Sequence, residues 1–487
     1  MNPLNALQSI AGQEVSIGTL RELNKALRAN AQRFTKGGVG YPQQGVPFVS
    51  GAGTELAPLV PQSIQPTLDS STFLNKHIKF WPTLKKVPIT STLYESSVVQ
   101  SHGNMDLDPW IGEGGVGPKS EATYARQTVR VKFLDEHIEI TDVGTMVGIT
   151  GVNRSALAQR TQDGTLSLLG KLERQLFLAD SNLSALSFDG LYKQIRTGAA
   201  NNYTDLEGKP ATFQLLVEVL GGLAAHPNFA YPTTIMVEPE VWQTLSNQAT
   251  AHGRHDQVKV RQAGGQIAFG HRELFVVGPY GEIKIEPMPL MFYQRLPNAA
   301  AAGTYAPAAP VIASAVNPGA TVGSKFYADD AGTYIYRVVA VGDGGITAPV
   351  NSAGVAVAAG ESVDITITDN AIPVEGEENN SVRYYRVFRS TPGGAAGTAQ
   401  YMWSFPRAAF GVDTVISDLN EHRTGCSQIY LLQNTPDVVE WDQLLDFVRR
   451  PLAQVKTTVP FLLMLFGTLY LKVATKAWVI DNVARSL

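Results

Sequence analysis

Alternation of apolar and charged residues predicts an extended structure in the first third of the chain. Within residues 121–142, EATYARQTVRVKFLDEHIEITD, apolar side chains alternate with basic ones at Val129, Val131 and Phe133. Ile138 and Ile140 alternate too, but in the opposite phase. The phase change predicts a β-bulge or a bend between the two sets. With the polar, glycine-rich residues that precede it, this pattern predicts a long β-hairpin with a flexible turn.

Helical periodicity follows farther along the chain. Residues 153–182 are predicted to form a long helix because four leucines keep helical spacing: Leu166, Leu169, Leu172 and Leu176. Gly164 and Gly170 weaken this helix by about 1 kcal/mol each relative to alanine. Residues 211–225 predict a second helix, which ends at the His226-Pro227 pair.

Shorter elements alternate with these helices. Residues 239–248 begin with proline, which favours a first helical position. Residues 233–239 and 272–279 are short apolar runs bounded by turn residues and predict strands. Thr435 is predicted to cap a helix that runs until Pro451 stops it. Helices and strands mixed on this scale predict an α+β fold.

The stretch from 303 to 425 has a different character. It enters through an Ala/Pro-rich segment and then contains short alternating or aromatic runs separated by turn residues about every ten positions. This spacing is typical of a β-sandwich. Two runs, GTYIYRVVAVG and SVRYYRVFRS, are similar to strands of fibronectin type III domains, but their order differs from that family. An immunoglobulin-like class is therefore predicted rather than one particular topology.

The N-terminal residues carry one amphipathic stretch. Ile17, Leu20, Leu23 and Leu27 share one face of a predicted helix, and the basic residues lie on its other faces. Between residues 1 and 40, five basic residues oppose two acidic ones, a net charge of +3. A solvated surface helix accounts for this excess by itself.

Composition sets wider bounds. The chain has 487 residues, 44% of them hydrophobic and 17% charged, with a formal net charge of −4. This composition is that of a globular protein of several domains, and the charge does not favour an electrostatic nucleic-acid binder. Cys426 is the single cysteine, so no intrachain disulfide can form, which fits a reducing cytoplasm.

No segment predicts secretion or membrane insertion. The first basic residue is Arg21, so the charged start of a signal peptide is missing. The most apolar run, residues 457–471, has 15 uncharged residues and contains Pro460 and Gly467. A spanning helix needs about 20 such residues. One or two buried strands are predicted here instead.

The segment GEGGVGPKS, residues 112–120, has the spacing of a phosphate-binding loop. Such a loop requires an apolar strand before it and a helix after it. The preceding SHGNMDLDPW cannot form a buried strand, and a strand pattern follows. Pro118 stands where the loop needs a backbone N–H, which proline lacks. The glycines therefore predict a flexible hairpin turn and no nucleotide site.

Other candidate chemistry is sparse. His252, His255 and Asp256 could form half of a metal site, but a polar loop surrounds them and no further ligands follow at a recognised spacing. The acidic run at 375–378 lacks the order of a calcium loop. No Gly-x-Ser-x-Gly motif occurs, and Cys426 has no evident partner base. No catalytic residue, cofactor or metal is predicted.

Two motifs carry a resemblance to a known family. Residues 110–133, WIGEGGVGPKSEATYARQTVRVKF, resemble the extended loop of tailed-phage major capsid proteins of the Hong Kong 97 fold. The residues that match in order are Trp110, Glu113, Pro118, Ser120, Ala122, Tyr124 and Lys132. Residues 461–483 are similar to the closing strands of the same family, in which an apolar strand, a Gly-Thr-Leu turn and a basic strand end in Asn-Val. The matching positions are Gly467, Thr468, Leu469, Lys476, Asn482 and Val483.

The resemblance implies a domain organisation. It implies an N-terminal arm over 1–75, an extended-loop hairpin and its base over 76–140, and a peripheral domain with a spine helix over 141–205. An axial domain over 206–302 follows, then the inserted immunoglobulin-like domain over 303–425. Residues 426–487 return through the axial domain to the final peripheral strands.

The resemblance also implies a function and partners. The chain would be a structural subunit, not an enzyme, that forms hexamers and pentamers in the icosahedral shell of a virion, assembled in the host cytoplasm. Implied partners are portal and scaffolding proteins, a decoration protein and non-specifically packaged double-stranded DNA, with no membrane. The sharp change of composition at both ends of 303–425, its Ala/Pro-rich entry and its acidic balance predict a separate domain that faces outward, with few contacts across its boundary. Weak contact of this domain with host surfaces or glycans is what the resemblance implies. The implied inter-subunit contact residues are Trp110, Glu113, Lys119, Tyr124 and Lys132.

Two other classes remain open from the sequence. An encapsulin, the shell protein of a cellular nanocompartment, has the same fold, although that lineage is compact and lacks such an insert. A bacterial adhesin or enzyme with a fibronectin-like module is the third class, and the missing secretion signal and missing catalytic residues disfavour it. Particles that contain DNA would distinguish a phage shell from an encapsulin.

Overall fold

The structure is a computed structural model. It describes residues 72–103, 107–108, 110–146, 156–252, 273–291, 307–368, 382–454 and 456–485. These residues belong to one compact unit, residues 66–487. The amphipathic stretch at 17–28, the acidic run at 375–378 and the pair His255 and Asp256 lie outside the described residues.

Six α-helices occur in the described part of the chain: α1 Phe80–Thr83, α2 Asp142–Met146, α3 Ala156–Leu178, α4 Leu191–Gly198, α5 Phe213–Ala224 and α6 Pro239–His252. Three of them confirm predicted helices, namely α3, α5 and α6. Thr212 caps α5, because its side-chain oxygen accepts a hydrogen bond from the Leu215 backbone N–H at 3.2 Å.

The strands of the same residues are β1 Lys86–Pro88, β2 Leu93–Ser101, β3 Thr123–Arg130, β4 Lys132–Thr141, β5 Tyr203–Asp205, β6 Thr234–Val237, β7 Leu274–Gly278, β8 Gly281–Pro287, β9 Val311–Asn317, β10 Gly332–Tyr334, β11 Tyr336–Gly342, β12 Gly345–Ile346, β13 Val350–Asn351, β14 Val355–Val357, β15 Ser362–Thr368, β16 Val382–Arg389, β17 Gln400–Pro406, β18 Thr414–Asp418, β19 Cys426–Leu432, β20 Val439–Pro451, β21 Thr458–Leu471 and β22 Ala477–Ala484. The predicted strands at 233–239 and 272–279 are confirmed as β6 and β7.

One core lies between a four-stranded sheet and the long helix. The sheet has the order β1-β20-β21-β4, and α3 buries Leu168, Leu172 and Leu176 in the same apolar cluster as its strands. The buried face of the helix is therefore shifted from the predicted one, since Leu166 and Leu169 are only half-buried. Gly164 and Gly170 are also buried, and a Cβ atom there would lie 2.1 Å from the Ile138 side chain and 2.6 Å from the Phe73 side chain, respectively. Close packing therefore requires these glycines, although they lower the helix propensity.

A second core lies on a six-stranded sheet of order β5-β22-β19-β6-β8-β7. Helices α5 and α6 pack on this sheet through fully or nearly fully buried side chains: Leu216, Leu220, Leu223, Val241 and Leu245. The C-terminal residues contribute to both sheets, because β20 and β21 belong to the four-stranded one while β19 and β22 pair within the six-stranded one. Helices and strands share both cores, which confirms a mixed α and β architecture.

The phase change predicted along residues 121–142 is present, but its position differs. The inward-facing residues shift from odd to even numbers at the step from Val131 to Lys132, where β3 ends and β4 begins. Strand β3 pairs with β2, whereas β4 pairs with β21. The break therefore marks a change of partner strand, and Phe133 lies on the exposed face of β4 with its ring edge-on to Phe466.

The predicted helix from Thr435 to Pro451 is wrong. Only one helix-like turn forms, in which the backbone N–H groups of Val438 and Val439 both donate to the Thr435 carbonyl. Strand β20 follows and pairs in parallel with β1 and antiparallel with β21. Register shifts after Gln443 and Leu445 interrupt the alternation of side chains, so the apolar spacing of an irregular strand imitates a helical period.

The predicted Gly-Thr-Leu turn at 467–469 is also wrong. These residues lie inside β21, and the chain turns afterwards through a short 3-10 helix at Ala474–Lys476. The prediction of one or two buried strands over 457–471 is confirmed. Gly467 serves close approach, since a Cβ atom there would lie 2.4 Å from the indole of Trp441, which is fully buried.

Substitution of Gly467 by alanine is expected to lower the free energy of unfolding by about 1–3 kcal/mol, because the rigid indole cannot yield to the added methyl group. Gly221→Ala is the matched control. No atom lies within 4 Å of a Cβ at that helical position. The control should raise stability by up to about 1 kcal/mol through helix propensity. Urea unfolding of the unassembled full-length subunit measures both, and equal effects would contradict this packing role.

The stretch predicted as a β-sandwich contains two main sheets. One joins β12, β11, β16 and β17, with β13 paired to β11, and the other has the order β18-β15-β9. Side chains from both sheets share one apolar cluster, which includes Tyr336, Val338, Val363, Ile365, Tyr385 and Val387. This region, residues 307–425, is called the insert below, and the remaining described residues are called the body.

The insert makes more contacts with the body than its composition predicts. Lys325 forms an ion pair with Asp205, and the Tyr327 hydroxyl donates to Glu207 Oε1 at 2.7 Å. The ring of Trp403 packs on Tyr192 with centroids 5.1 Å apart. The expectation that few contacts cross this boundary is therefore wrong within the subunit.

Asn482 explains part of the matched C-terminal motif. Its backbone adopts a left-handed conformation with φ of 52°. Its amide nitrogen donates to Asp205 Oδ1 at 2.8 Å and to the Glu421 carbonyl at 2.7 Å, and its oxygen accepts from the Arg423 backbone N–H at 2.8 Å. Asparagine tolerates the left-handed region and supplies both donor and acceptor. Asn482 thus fastens the C-terminal end of the insert to the body.

Candidate assembly surface

The predicted hairpin is confirmed as a two-stranded antiparallel ribbon. Strands β2 and β3 pair from Leu93 opposite Arg130 to Ser101 opposite Thr123. The residues between Ser101 and Thr123 form the tip, of which 102–103, 107–108 and 110–122 are described. One turn in the tip is closed by the Gly115 N–H, which donates to the Gly112 carbonyl at 2.9 Å.

This ribbon has no buried residue of its own. Every described residue from 85 to 130 is exposed or half-buried. An isolated two-stranded hairpin is at best marginally stable in water, because it buries too little apolar surface. Beyond its base, the described part of the ribbon therefore lacks, within its own subunit, the packing that would normally stabilise such a structure.

The tip and the adjoining start of β3 expose several large apolar side chains to solvent. Trp110 is 85% exposed, Ile111 56%, Val116 97% and Tyr124 68%. Single exposed apolar residues are ordinary, but a group of four on one projecting ribbon is typical of a surface that another protein covers. Trp110 is thus not a packing residue within the subunit, whereas Trp441 is part of the core.

The five predicted contact residues separate into two places. Trp110, Glu113 and Lys119 lie together in the tip, where Lys119 forms an exposed ion pair with Glu121. Tyr124 follows at the start of β3. Lys132 lies at the opposite end of the ribbon, where its Nζ donates to the Ala185 carbonyl at 2.5 Å. The structure therefore groups four of the five and assigns Lys132 a contact inside the subunit.

The phosphate-loop pattern has no phosphate-loop geometry. The glycines at 112–117 lead into β3, not into the N-terminus of a helix. Within the described residues, no group of three or more His, Cys, Asp or Glu side chains could hold a metal ion. Burial raises the pKa of the half-buried Cys426 thiol to about 11, which keeps it protonated and poorly nucleophilic at neutral pH.

Tyr470 connects the base of the ribbon to the body. Tyr470 of β21 donates its hydroxyl proton to Gln127 Oε1 at 2.9 Å and also forms a hydrogen bond with Ser96 Oγ. Its ring meets Tyr94 edge-on, with centroids 6.2 Å apart. Both strands of the ribbon are therefore fastened to β21 at their base.

Two buried carboxylates lie on β20 beside this contact. Glu440 is opposite Tyr470 in the strand register, and Asp442 is opposite Thr468. Lys472 Nζ lies 2.7 Å from Glu440 Oε1, while neither oxygen of the fully buried Asp442 has a hydrogen-bond partner. Burial, with a smaller contribution from Glu440, raises the pKa of Asp442 to about 7.

Asp442 is expected to make the subunit less stable as the pH rises from about 4 to about 7. The folded chain binds this proton more tightly than the unfolded chain, whose pKa is near 3.8, so deprotonation favours unfolding until the folded pKa is passed. The groups that face it are Glu440, Lys472 and the hydroxyl of Tyr470. Asp442→Asn should be more stable than the wild type above pH 7 by on the order of 2–4 kcal/mol, and equal to it near pH 4.

Urea midpoints measured at several pH values test this expectation. Asp446→Asn is the matched control, because Asp446 lies on the same strand but is exposed. The control should reproduce the wild-type dependence on pH. A wild-type stability that does not change over this range, or an Asp442→Asn variant that falls with pH as the wild type does, would contradict the assignment.

Sequence patterns did not identify these buried polar groups. Glu173 of α3 accepts backbone hydrogen bonds from Lys79, Phe80 and Trp81 at 3.0, 2.6 and 2.9 Å. It lies over 90 residues from them in the sequence. A glutamate within a helix gives no local signal of such a role, and the same is true of Asp442 in a segment predicted as helix.

The chain is similar in sequence to capsid proteins of phages. No protein-family model matches it. It is 27% identical over 450 residues to a provisionally named major capsid protein of Enterococcus phage phiEF24C, covering 87% of this chain and 89% of the relative. It is 23% identical over 424 residues to the major capsid proteins of Staphylococcus phage S25-3 and Staphylococcus phage K, covering 84% of this chain and 86% of each relative.

Three solved structures also match. The Gordonia phage Cozz structure matches with a TM-score of 0.43 and 9% identity, over 91% of this chain and 97% of the other. The capsid of a native GTA particle matches with a TM-score of 0.41 and 12% identity, over 90% and 100%. The SrpI encapsulin complex from Synechococcus elongatus PCC 7942 matches with a TM-score of 0.40 and 10% identity, over 88% and 95%.

The names of the phage relatives agree with the function predicted from the two motifs. The prediction of a phage major capsid protein, located in the shell of the virion, is confirmed by these relatives. Among the described helices, none is both long and apolar enough to cross a bilayer.

Proposed function

We propose that this chain is a shell-forming subunit of the Hong Kong 97 fold in a tailed phage, and that the ribbon at 93–130 lies over an adjacent subunit. The observation that carries the proposal is the ribbon itself. It exposes four large apolar side chains, and none of its described residues is buried. A neighbouring subunit would supply the missing packing, and aromatic anchors such as Trp110 would contribute most of the contact energy.

The two cores support the proposed domain assignment. The four-stranded sheet with α3 supports a peripheral domain over 141–205 with its base strands from 76–140, and α3 fits the spine helix. The six-stranded sheet with α5 and α6 supports an axial domain over 206–302. Residues 426–487 supply strands to both. The arm over 1–75 completes the assignment.

The domain predicted over 303–425, which contains the insert, is assigned to the immunoglobulin-like class. Two antiparallel sheets around one apolar core support this assignment. Between residues 305 and 425, seven basic residues oppose twelve acidic ones, a net charge of −5. Such a surface would be repelled by packaged DNA, which favours the outer face of the shell. There it would be available for weak contact with host surfaces or glycans.

The partners of the subunit follow from the same proposal. Copies of the chain would meet as hexamers and pentamers, with portal, scaffolding and decoration proteins as further partners. Contact with the double-stranded DNA inside would be weak and independent of sequence, because phosphate contacts carry no sequence information. The role is structural, and no chemical step is assigned to any residue.

A pair of valine substitutions tests the proposed contact. Val116 in the tip is 97% exposed and Val322 in the insert is 98% exposed, so the two are matched as isolated side chains. Val116→Asp should prevent or weaken shell formation, because it would bury a charge in the contact, whereas Val322→Asp should assemble normally. Sedimentation and electron microscopy report shells. Normal shells from Val116→Asp would contradict the contact.

A further inference from the structure

A cleft of about 640 Å³ lies between the insert and the body. The body contributes the start of β4, one face of α3 and residues 179–193, and the insert contributes residues of β16 and β17. The volume lies within the range of roughly 300–1,000 Å³ that small-molecule sites occupy. The cleft is therefore of a size for a small ligand, and it exists because the insert is docked on the body.

Positive charge is concentrated in this cleft. Its lining contains three acidic residues, Asp135, Asp180 and Asp343, and six basic residues: Lys132, Lys171, Arg174, Lys193, Arg383 and Arg386. The lining thus carries a net charge of +3, although the whole chain carries −4. A concave positive surface within an acidic protein raises the local concentration of anions.

The insert wall presents two arginines. Arg383 forms an ion pair with Asp343, and one of its terminal nitrogens donates to Ser184 Oγ at 3.2 Å. Arg386 donates to the Tyr384 hydroxyl at 3.0 Å, and the described residues place no carboxylate in ion-pair contact with it. A guanidinium has five N–H donors, so Arg386 retains donors for an anion.

The body wall presents two lysines, each paired with one carboxylate. Lys193 Nζ lies 3.5 Å from Asp180 Oδ1, and both side chains are partly buried. Lys171 pairs with Glu136, but 61% of its side chain remains exposed. An ammonium group has three N–H donors, so each lysine keeps donors for an anionic ligand.

We propose that the cleft binds a small polyanion that carries at least two phosphate or carboxylate groups. One anionic group would contact Arg383 and Arg386 on the insert, and another would contact Lys171 and Lys193 on the body. Rings of Tyr192 and Trp403 line the same cleft and would pack against the carbon skeleton of the ligand. The bound ligand would bridge the insert and the body, which is a role beyond shell formation.

Titration calorimetry of the full-length subunit with inorganic tripolyphosphate tests the proposal. Saturable binding is expected, and it should weaken as sodium chloride is raised. The double variant Arg383→Gln and Arg386→Gln should weaken binding at least about tenfold, on the precedent of charged hydrogen bonds. Lys193→Gln should weaken it severalfold, because the opposite wall also contributes.

The matched control is the double variant Arg449→Gln and Arg450→Gln. These two arginines are exposed near the end of β20 and do not line the cleft. The control should bind as the wild type does, and thermal melting should show that all variants are folded. Citrate in place of tripolyphosphate distinguishes carboxylate from phosphate recognition, and cleft-dependent binding of either one supports the proposal.

Three results would overturn it. One is no saturable binding of tripolyphosphate or citrate at concentrations on the order of 1 mM. Another is binding that the cleft variants and the control variant change equally, which would show general attraction of anions to the surface. A cleft variant that melts at a lower temperature but binds both anions as the wild type does would also overturn it.

Discussion

A chain in which residues 102–122 are replaced by an Asn-Gly turn is expected to fold normally and to form no shells. Ser101 and Thr123 are paired across the ribbon, so a two-residue turn can join them without a change of register. Every described residue of the deleted tip is exposed or half-buried, so its removal should change the free energy of unfolding by less than about 0.5 kcal/mol. Folding and assembly are thereby separated.

The loss of assembly should be much larger than the loss at any single contact. The deletion removes Trp110, Ile111 and Val116 from every copy of the chain. Interface aromatics commonly contribute about 2 kcal/mol or more, so Trp110→Ala alone should lower shell stability by about 2 kcal/mol per contact. Each subunit meets several neighbours in a shell, and multivalent assembly amplifies a small loss per contact.

Analytical ultracentrifugation and thermal melting of the turn variant measure the two properties. Shells of normal size would show that the tip makes no essential contact. A melting temperature well below that of the wild type would show that the tip stabilises its own subunit instead. In that case the point variant Trp110→Ala still tests the contact between subunits, because it changes one exposed side chain only.

Arg389→Leu is expected to lower the free energy of unfolding by about 3–5 kcal/mol. Arg389 and Asp418 are both nearly fully buried in the insert, with 2.6 Å between their paired nitrogen and oxygen atoms. A second nitrogen of Arg389 donates to Asn420 Oδ1 at 2.6 Å, and Tyr336 donates to the same Asp418 oxygen at 2.8 Å. Removal of the guanidinium would leave the carboxylate buried without a counter-charge.

The effect should reach the contact between insert and body. Asn420 donates to the Lys325 carbonyl at 3.0 Å, and Arg423 forms hydrogen bonds with both oxygens of Asp330 at 2.8 Å. Lys325 in turn forms the ion pair with Asp205 of the body. Loss of Arg389 should therefore increase protease cleavage at the insert boundary as well as lower stability.

Two further variants distinguish the effect of the buried ion pair on stability from that of an exposed ion pair. The double variant Arg389→Leu and Asp418→Leu should recover part of the lost stability, because no unpaired charge stays buried. Arg126→Leu removes an exposed arginine that lies 3.5 Å from Glu95, and it should change stability by at most about 1 kcal/mol. If Arg389→Leu lowered the free energy of unfolding as little as Arg126→Leu does, the role assigned to the buried pair would be contradicted.

Local patterns predicted the hairpin, whose two strands are close in sequence, and the helices, whose apolar spacing repeats over several turns. The hairpin at 93–130, helix α3 and helix α5 each contain their own signal of alternation or helical spacing. Strand β20 was predicted wrongly because its bulges hide the alternation of side chains, although its antiparallel partner β21 follows directly in the sequence.

The candidate surface could be predicted in part. Trp110, Glu113, Lys119 and Tyr124 could be placed on the hairpin by their order along the chain, and the structure adds that all four are exposed. Lys132 could not be distinguished from them, since its contact with Ala185 depends on how the hairpin base meets the body. The buried charges Asp442 and Arg389, and the cationic cleft, depend on contacts between distant residues and have no local signature.

Cryo-electron microscopy of particles formed by the full-length chain, expressed alone or with a co-expressed scaffold, tests the central claim most directly. We expect closed shells in which the ribbon at 93–130 lies on the neighbouring subunit, with Trp110 covered by that neighbour. Particles from infected cells should contain DNA. A chain that remains monomeric under both conditions, or shells in which Trp110 stays exposed to solvent, would contradict the account.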